Sequence, residues 1–426
     1  MLKTPIARGV ALATLGATLS IPTMAQAAFV EDTKAGLELR NFYFNRDFRQ
    51  DNLTSANQSK QEEWAQGFIL RVESGYTEGT VGFGVDALGL LGVKLYSSED
   101  TAGSGLMPSS FGNEAPDDFS EFGLTAKAKL SETVLKVGTL QLKNQAIGTS
   151  DSRLLPQVMQ GAQLVSKEIK DLTLEAGYAN RINHRDSTNY QVMAVNTGGR
   201  RGITIDAGAT NESDEFVFLG GNYKLMDNLT AGYYYSNLED LYKQHSYNLV
   251  HVLPLGDKQS LKTDLRYARS TDDGSSNVDN KALGAMVTYS LSGHSIGLGY
   301  QKMSGDTGFA YLAGATDPFL VNYVQINDFA NEDEKSWQAR YDFNFASIGI
   351  PGLTFMTRYV TGDNFERSAG VEGKEWERDM DIAYTFQEGA LKNLNLKWRN
   401  ATARSNGTGN DINENRLIAS YTIPLM

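Results

Sequence analysis

Residues 394–400 read LNLKWRN, a stretch in which apolar and cationic side chains alternate. Successive side chains of a β-strand point to opposite faces, so Lys397 and Arg399 share one face while Leu396 and Trp398 share the other. A strand of this kind separates an apolar environment from a polar one. The rest of the chain decides what those two environments are.

The same period of two recurs along the chain. Residues 229–236 (LTAGYYYS), 261–269 (LKTDLRYAR) and 336–345 (SWQARYDFNF) each put apolar or aromatic side chains on one face and polar ones on the other. This alternation predicts strands and not helices. A soluble β-sandwich would show the same alternation, so the connections between strands have to distinguish the two architectures.

Short turn sequences recur at intervals of roughly 30 to 60 residues, which is enough for a strand, a loop and a returning strand. They lie near Glu78-Gly79, Ser131-Glu132, Lys170-Asp171, Asp227-Asn228, Gly256-Asp257, Ser292-Gly293, Pro351-Gly352 and Glu388-Gly389. Long polar segments, such as residues 99–118 and 361–378, lie between them. Short connections at one end and long ones at the other are typical of outer-membrane barrels.

Eight turns join sixteen strands, and the first and last strands add two. The sequence therefore predicts an all-β fold: a transmembrane antiparallel β-barrel of 18 strands with short periplasmic turns and long extracellular loops folded into the lumen. After the first 27 residues no run approaches the roughly 18 apolar residues of a membrane-spanning helix. The chain contains no cysteine.

The first residues fit an export signal. Lys3 and Arg8 precede the apolar run GVALATLGATLSIPTM, and AQA follows at residues 25–27, which is the order of a secretory signal peptide. We therefore predict a signal peptide over 1–27 and a single outer-membrane barrel domain over 28–426. Removing the two signal cations leaves 37 basic against 51 acidic residues. This negative balance argues against nucleic acid as a partner.

A barrel of 18 strands encloses an aqueous channel, whereas one of eight fills its own interior. A Lys or Arg on the lipid face at mid-membrane costs about 2–4 kcal/mol, so Lys397 and Arg399 are expected to face the channel. The same parity turns other cations inward: Arg40, Arg46, Lys127, Lys129, Lys136, Arg266, Arg340, Arg358 and Arg416.

The first and last strands must meet when the barrel closes, and the inward cations are concentrated there. Arg46, Arg358, Lys397, Arg399 and Arg416 are therefore predicted to form a basic track for anionic solutes beside this seam. The alternative for each cation is a lumen charge paired with a neighbouring acid, such as Asp379 or Asp381.

Residues 144–164, NQAIGTSDSRLLPQVMQGAQL, differ from the other loops because they carry an apolar Leu-Leu-Pro segment. Leu154, Leu155 and Pro156 in a wet vestibule are expected to fold inward and pack against the barrel wall. Arg153 would then reach the narrowest part of the channel. The alternative is an ordinary surface loop with one apolar patch.

Several segments together resemble the OprD family, also called the Occ channels, which are carboxylate-selective porins of Gram-negative outer membranes. They include SDSRLLPQVMQGAQLVSKEIKDLTLEAGY, GTVGFGVDALGLLGVKL, RNFYFNRD, EKSWQARYDFN, PGLTFMTRYVTGD and ENRLIASY. The resemblance runs from Phe29 to Met426. It implies an 18-stranded barrel with a basic ladder that faces an electronegative pocket across the channel.

Carried over by position, the family's ladder matches Arg46, Lys397, Arg399 and Arg416, and its pocket matches the acid Asp328 and the phenol Tyr311. In this reading Asp328 repels a second anion and could hold an amino group. There are also departures from the family pattern: Ala383 at a ladder position, Ile326 in place of a tyrosine, and Met426 in place of a terminal aromatic residue. The segments RINHRDSTNY and SYNLVHVLPLGDKQSLKTDLRYARS resemble the OccK branch, which favours cyclic or aromatic carboxylates.

The resulting functional prediction is a substrate-specific outer-membrane porin for passive uptake of small carboxylate solutes, aromatic or cyclic ones above others. A basic amino acid or peptide channel of the same family, or a general-diffusion porin, stays open as an alternative. None of the four histidines lies in a catalytic or metal-ligand spacing, so no enzyme, cofactor or metal is expected. The expected partners are small anionic solutes, outer-membrane lipid and lipopolysaccharide, and the barrel is expected to be a monomer or a weak trimer.

Overall fold

The computed structural model describes residues 29–49, 58–314, 316–407 and 411–426. The predicted signal peptide, residues 1–27, lies outside the described residues and stays a prediction.

The described part of the chain is built from strands. Eighteen of them are long and form the barrel: β1 (Lys34–Phe48), β2 (Lys60–Glu73), β3 (Val81–Tyr96), β4 (Asp118–Leu130), β5 (Thr133–Leu140), β6 (Val158–Ser166), β7 (Leu172–Asn183), β11 (Phe216–Met226), β12 (Leu229–Leu238), β13 (Tyr242–Gly256), β14 (Gln259–Asp272), β15 (Asp279–Leu291), β16 (His294–Ser304), β17 (Lys335–Asn344), β18 (Leu353–Ser368), β19 (Val371–Thr385), β20 (Asn395–Ser405) and β21 (Ile412–Pro424). Three strands of two residues lie in one loop: β8 (Tyr190–Gln191), β9 (Met193–Ala194) and β10 (Glu212–Ser213).

A 3₁₀ helix spans Phe345–Ile348 between β17 and β18. No helix in the described part of the chain is both long enough and apolar enough to cross a bilayer.

The long strands pair in chain order and close on themselves. Each is antiparallel to the next, and β7 pairs directly with β11. The last strand, β21, returns to β1 in a register that runs from Gly36 opposite Pro424 to Phe48 opposite Ile412. The predicted 18-stranded antiparallel barrel is therefore confirmed, and its seam lies between β1 and β21.

All eight predicted turns join neighbouring barrel strands at one end, which is the periplasmic end. The tightest of them use residues in the left-handed region: Ser131 has φ 53°, Ser292 has φ 47°, and Gly293 follows with φ 92°. This backbone matches the twist of a two-residue hairpin, which explains why turn-forming residues in the sequence predicted these positions.

Side chains alternate between lipid and lumen along every barrel strand. Leu298 of β16 and Trp337 of β17 are 67% and 62% exposed on the outer face. Their neighbours on the inner face, Gln301 and Gln338, are buried. Apolar residues outside and polar residues inside are the pattern of a barrel in a bilayer.

Four long loops at the other end fold into the lumen, which narrows it as predicted. They span residues 97–117, 141–157, 184–215 and 305–334. Their apolar side chains pack on the inner wall; Leu154 and Leu155, for example, join a buried cluster with Phe42 and Phe44.

The expectation of a long loop over 361–378 was wrong. These residues extend β18 and β19, and the two strands meet at a tight turn of Ala369 and Gly370. Above the bilayer the outer face of the hairpin meets water in place of lipid, while its inner face is buried and carries polar groups such as Glu375 and Glu377, so a polar sequence is compatible with strand there. The connection between β12 and β13, residues 239–241, is short as well.

Candidate functional site

The seam carries the predicted cations on its inner wall. Arg46 lies on β1, Lys397 and Arg399 on β20, and Arg416 on β21, all with the inward parity of the buried residue Phe44. Arg358 lies on β18, whose neighbour β19 pairs with β20. The fold thus brings together the cations that the sequence predicted to cluster.

Three guanidinium groups surround the ring of Phe44 where the loop 141–157 packs against the seam, the position of the predicted constriction. The guanidinium carbons of Arg153, Arg46 and Arg416 lie 4.9, 5.4 and 5.7 Å from the ring centroid. Because the ring is fully buried, it offers its face to these cations where water is scarce and cation–π attraction is stronger. We call Arg46, Arg153 and Arg416 the guanidinium cluster.

One carboxylate, Glu414, serves two members of the guanidinium cluster. Its Oε2 accepts from Nε of Arg46 at 2.8 Å, and its Oε1 accepts from Nε of Arg416 at 2.6 Å. Arg416 also donates to the carbonyl oxygens of Ser152 at 3.4 Å and Gln325 at 3.2 Å. Its exposed fraction is 1%, so it ties two inward-folded loops to the wall while remaining out of reach of solute.

Arg153 is the member of the guanidinium cluster that comes from a loop. Its Nε donates to the carbonyl of Ser104 at 3.3 Å, and no carboxylate of the described residues lies within ion-pair distance of it. Burial, reinforced by the like charges of Arg416 and Arg185, lowers the pKa of the Arg153 guanidinium well below its ordinary value. An arginine stays protonated nonetheless, so this site has a positive potential that a passing anion would relieve.

A cavity of about 170 Å³ opens on the periplasmic side of the constriction. Four cations and two carboxylates line it, together with the apolar side chains of Phe42 and Ile418; the charged residues are Arg40, Arg153, Lys397, Arg399, Glu38 and Asp151. Lys397 has no ion pair or hydrogen bond to any described residue, and it is only half-buried. We call this space the basic cavity.

Two of the predicted track cations have carboxylate partners on β19. Nε of Arg358 donates to Asp379 at 2.7 Å, and Nε of Arg399 donates to Asp381 at 3.0 Å. Cations far from the seam are paired as well: Arg266 with Asp264 at 2.9 Å is one example. Among the described residues, Lys397 shares its lack of a partner with Lys129 of β4, and within the predicted track it is the cation without one.

The predicted pocket lies in the loop 305–334. The hydroxyl of Tyr311 donates to Oδ2 of Asp328 at 2.5 Å, and that of Tyr323 donates to Asp317 at 2.9 Å. Burial and the neighbouring carboxylates raise the pKa of both phenols, so both hydroxyls remain protonated donors. The same oxygen of Asp328 also accepts from Nη2 of Arg201.

Sequence reasoning missed Arg185 and Arg201, both in the loop 184–215. Nη1 of Arg185 donates to the hydroxyl of Ser152 at 2.9 Å, which brings it next to the guanidinium cluster. Neither arginine lies in an alternating strand pattern. The glycines at 198, 199 and 202 around Arg201 were the only local signal of a specially shaped backbone.

Comparisons with known proteins agree with this architecture. The family description "outer membrane porin, OprD family" matches residues 27–425. A porin-like protein, GalP, of Pseudomonas putida is 39% identical over 97% of this chain and 97% of its own. Among solved structures, Pseudomonas aeruginosa OpdQ is 61% identical with a TM-score of 0.86 over 94% of this chain and all of that one. OccK7 (OpdD) of the same species is 53% identical, with a TM-score of 0.82 over 93% of this chain and all of that one.

Proposed function

The chain belongs to the OprD family of outer-membrane porins, and from this premise we propose that it is a substrate-specific channel for small solutes that carry a carboxylate. Family membership makes it a passive channel of the Gram-negative outer membrane and not an enzyme. Its solved relatives include several OccK channels, in keeping with the OccK-like branch.

The observation that carries the proposal is the charge of the basic cavity. Four cations face two carboxylates there, so the cavity is net positive in a chain that is net negative. A carboxylate that enters would meet Lys397, whose ammonium group has no protein anion to give up. Arg399 keeps part of its planar fork free, since only its Nε bonds Asp381, and such a fork suits a carboxylate.

The passage of a solute can be written as a series of weak exchanges. A carboxylate leaves water near Arg46 and Arg153, passes the constriction, and then contacts Lys397 and Arg399 before it reaches the periplasm. Each contact replaces a hydration bond by a charge-assisted one, and conduction requires that each be weak enough to release the solute again. Arg416 contributes to the potential along this path without direct contact, because it is buried.

The preference for aromatic or cyclic carboxylates rests on the apolar part of the same wall. Phe42 and Ile418 line the basic cavity between its cations. A ring that carries a carboxylate could lay its apolar body against Ile418, the partly exposed one of these two side chains, while its charge meets Lys397. A purely polar anion such as acetate would gain only the second contact.

The test is single-channel recording of the mature protein in planar bilayers with benzoate, vanillate or arginine added. We expect small conductance and current block by the aromatic carboxylates, weakened in Arg399→Ala. Block by arginine alone would assign the protein to the basic amino acid channels. Large conductance that is indifferent to all three solutes would leave a general-diffusion porin and overturn the proposal.

A further inference from the structure

The acidic pocket of the loop 305–334 already contains a cation, and that cation belongs to the protein. The guanidinium of Arg201 bonds Oδ2 of Asp328 and lies 5.3 Å from the centroid of the Tyr311 ring. The side chains of Arg201 and Asp328 are only 8% and 15% exposed. A carboxylate beside an aromatic face is also the arrangement with which proteins hold a guanidinium or ammonium ligand.

The backbone fixes Arg201 in this position from both sides. The carbonyl of Arg201 accepts from the amide of Gly308 at 2.6 Å, and the carbonyl of Arg200 accepts from the amide of Glu332 at 3.0 Å. Upstream, the amide of Asn196 donates to the carbonyl of Tyr311 at 2.9 Å. The segment that carries Arg201 is thus joined to the pocket loop at three points.

Two glycines leave room for this arrangement. Gly199 has φ +73°, and a Cβ there would lie 3.1 Å from Nη1 of Arg201. A Cβ on Gly308 would lie 2.3 Å from the carbonyl oxygen of Ala330 and 3.0 Å from the Cα of Arg201. Larger residues at either position would push the guanidinium or its backbone away from Asp328.

We propose that Arg201 is a specificity-determining residue: it occupies the pocket in place of a solute's cationic group and thereby closes the channel to cationic solutes such as arginine. This inference rests on the proposed function and names the residue that separates the two alternatives left open by the sequence. The ion pair with Arg201 balances the negative charge of the Asp328 carboxylate. A solute ammonium could reach it only by displacing a buried guanidinium, which would then lack a carboxylate partner.

The location of the pair supports a role in selection. Arg201 and Asp328 line a cavity of about 200 Å³ together with Ala403 of β20 and Ile412 of β21. These strand residues lie on the extracellular side of Arg46, so an incoming solute meets this cavity before it meets the guanidinium cluster. Removal of Arg201 would leave an uncompensated carboxylate at the entrance.

The test is the ion selectivity and solute uptake of Arg201→Gln in planar bilayers and liposomes. We expect the permeability to arginine, relative to benzoate, to rise by about tenfold, the size of one charge-assisted hydrogen bond. The reversal potential in a KCl gradient should move toward cation selectivity. Arg200→Gln is the matched control: it removes the same charge from the adjacent position, where the side chain is exposed and bonds the carbonyl of Gly407 at 2.8 Å.

Two further variants guard against a loss of folding. The double variant Arg201→Gln/Asp328→Asn removes both charges and should return arginine permeability to the wild-type value. Arg201→Lys keeps the charge and should stay closed to arginine. A folded Arg201→Gln channel with unchanged arginine permeability and unchanged reversal potential would overturn the inference. A wild-type channel that ignores carboxylates would instead overturn the proposed function, so the two failures are distinguishable.

Discussion

Two neighbouring regions of the seam, the constriction and the basic cavity, use cationic side chains for different purposes. At the constriction, Arg416 is 1% exposed and all its contacts are with the protein itself. In the basic cavity a few residues away, Lys397 is half-buried and has no bond to a described residue. Both have the inward parity that the sequence predicted. The position of a residue along the strand thus determines which face of the wall its side chain lies on. The inward-folded loops determine which of the inward cations remains accessible to solute.

The largest expected effect comes from removing the buried arginine of the constriction. Arg416→Gln would leave Glu414 with Arg46 as its remaining cation and would remove the donors to Ser152 and Gln325. Breaking a buried ion pair typically costs about 3–5 kcal/mol. We expect a lower unfolding temperature in detergent, measured by heat-modifiable migration on gels. We also expect a larger, noisier single-channel conductance, because the two loops loosen.

The control for this variant is Arg404→Gln, since Arg404 lies on β20 with the outward parity and bonds Asn413. It removes the same charge from a neighbouring height of the barrel without touching a loop of the constriction. Equal unfolding temperatures and conductances for the two variants would contradict the anchoring role of Arg416.

A second variant sharpens the comparison by loosening a loop without touching any cation. Glu63 of β2 is fully buried and accepts from the hydroxyls of Ser97, Ser104 and Ser109 at 2.9, 2.5 and 2.8 Å. Glu63→Gln turns one of these acceptors into a donor, so about 1–3 kcal/mol of stability should be lost. The loop 97–117 should open to protease, while the reversal potential should move less than it does in a seam variant.

A shift of anion selectivity in Glu63→Gln as large as that of a seam variant would mean that loop position, and not the seam charge, sets selectivity. Ser97→Ala provides a milder step, because it removes one of the donors and leaves the carboxylate in place.

A third variant changes the basic cavity. Lys397→Gln removes the one unpaired cation that the sequence predicted for the track, and no partner is left behind. We expect about tenfold weaker block by benzoate with an unchanged unfolding temperature, because a single charge-assisted contact is lost. Lys136→Gln is the matched control: it is a lysine on the inner wall of β5, 3.4 Å from Asp86 and far from the seam. Equal benzoate block in both variants would argue against a track at the seam.

Much of the fold could be predicted from the sequence because it depends on local chemistry. A strand's faces follow from the period of two, and a tight turn needs residues such as Ser292 and Gly293 that accept a left-handed backbone. The extension of the hairpin over 361–378 could not be predicted this way. Above the bilayer a polar sequence fits strand and loop equally well.

The candidate site could be predicted only as far as parity reaches. The inward faces of Lys397, Arg399 and Arg416 follow from the cost of charge in lipid. The burial of Arg416 and the pairing of Asp328 with Arg201 depend on loops that return from distant parts of the chain. Arg201 and Asp328 are 127 residues apart, and no local pattern connects them.

The smallest effect tests the constriction through pH. Glu334, at the end of the loop that Arg416 holds, is 1% exposed and accepts from the amide and the side chain of Asn331 at 3.0 and 2.8 Å. Burial and the neighbouring carboxylate of Glu375 raise the pKa of Glu334 well above its ordinary value of 4.5. The folded state therefore holds a proton that the unfolded chain gives up more readily.

A carboxyl group whose folded pKa is raised stabilises the fold fully below its unfolded pKa, and that stabilisation is lost as pH rises through the folded pKa. The free energy of unfolding should thus decrease as pH rises above about 4.5, the ordinary pKa of a Glu carboxyl, with a slope of at most about 1.4 kcal/mol per pH unit. Glu334→Gln imitates the protonated group and should flatten that slope. At the highest pH measured, this variant should be more stable than the wild type. Equal slopes would mean that Glu334 is ionised in the fold. Arg416 would then anchor a loop that contains a buried, charged carboxylate. In that case the stability of the loop would depend on Arg416 even more strongly than the contrast between Arg416 and Lys397 implies.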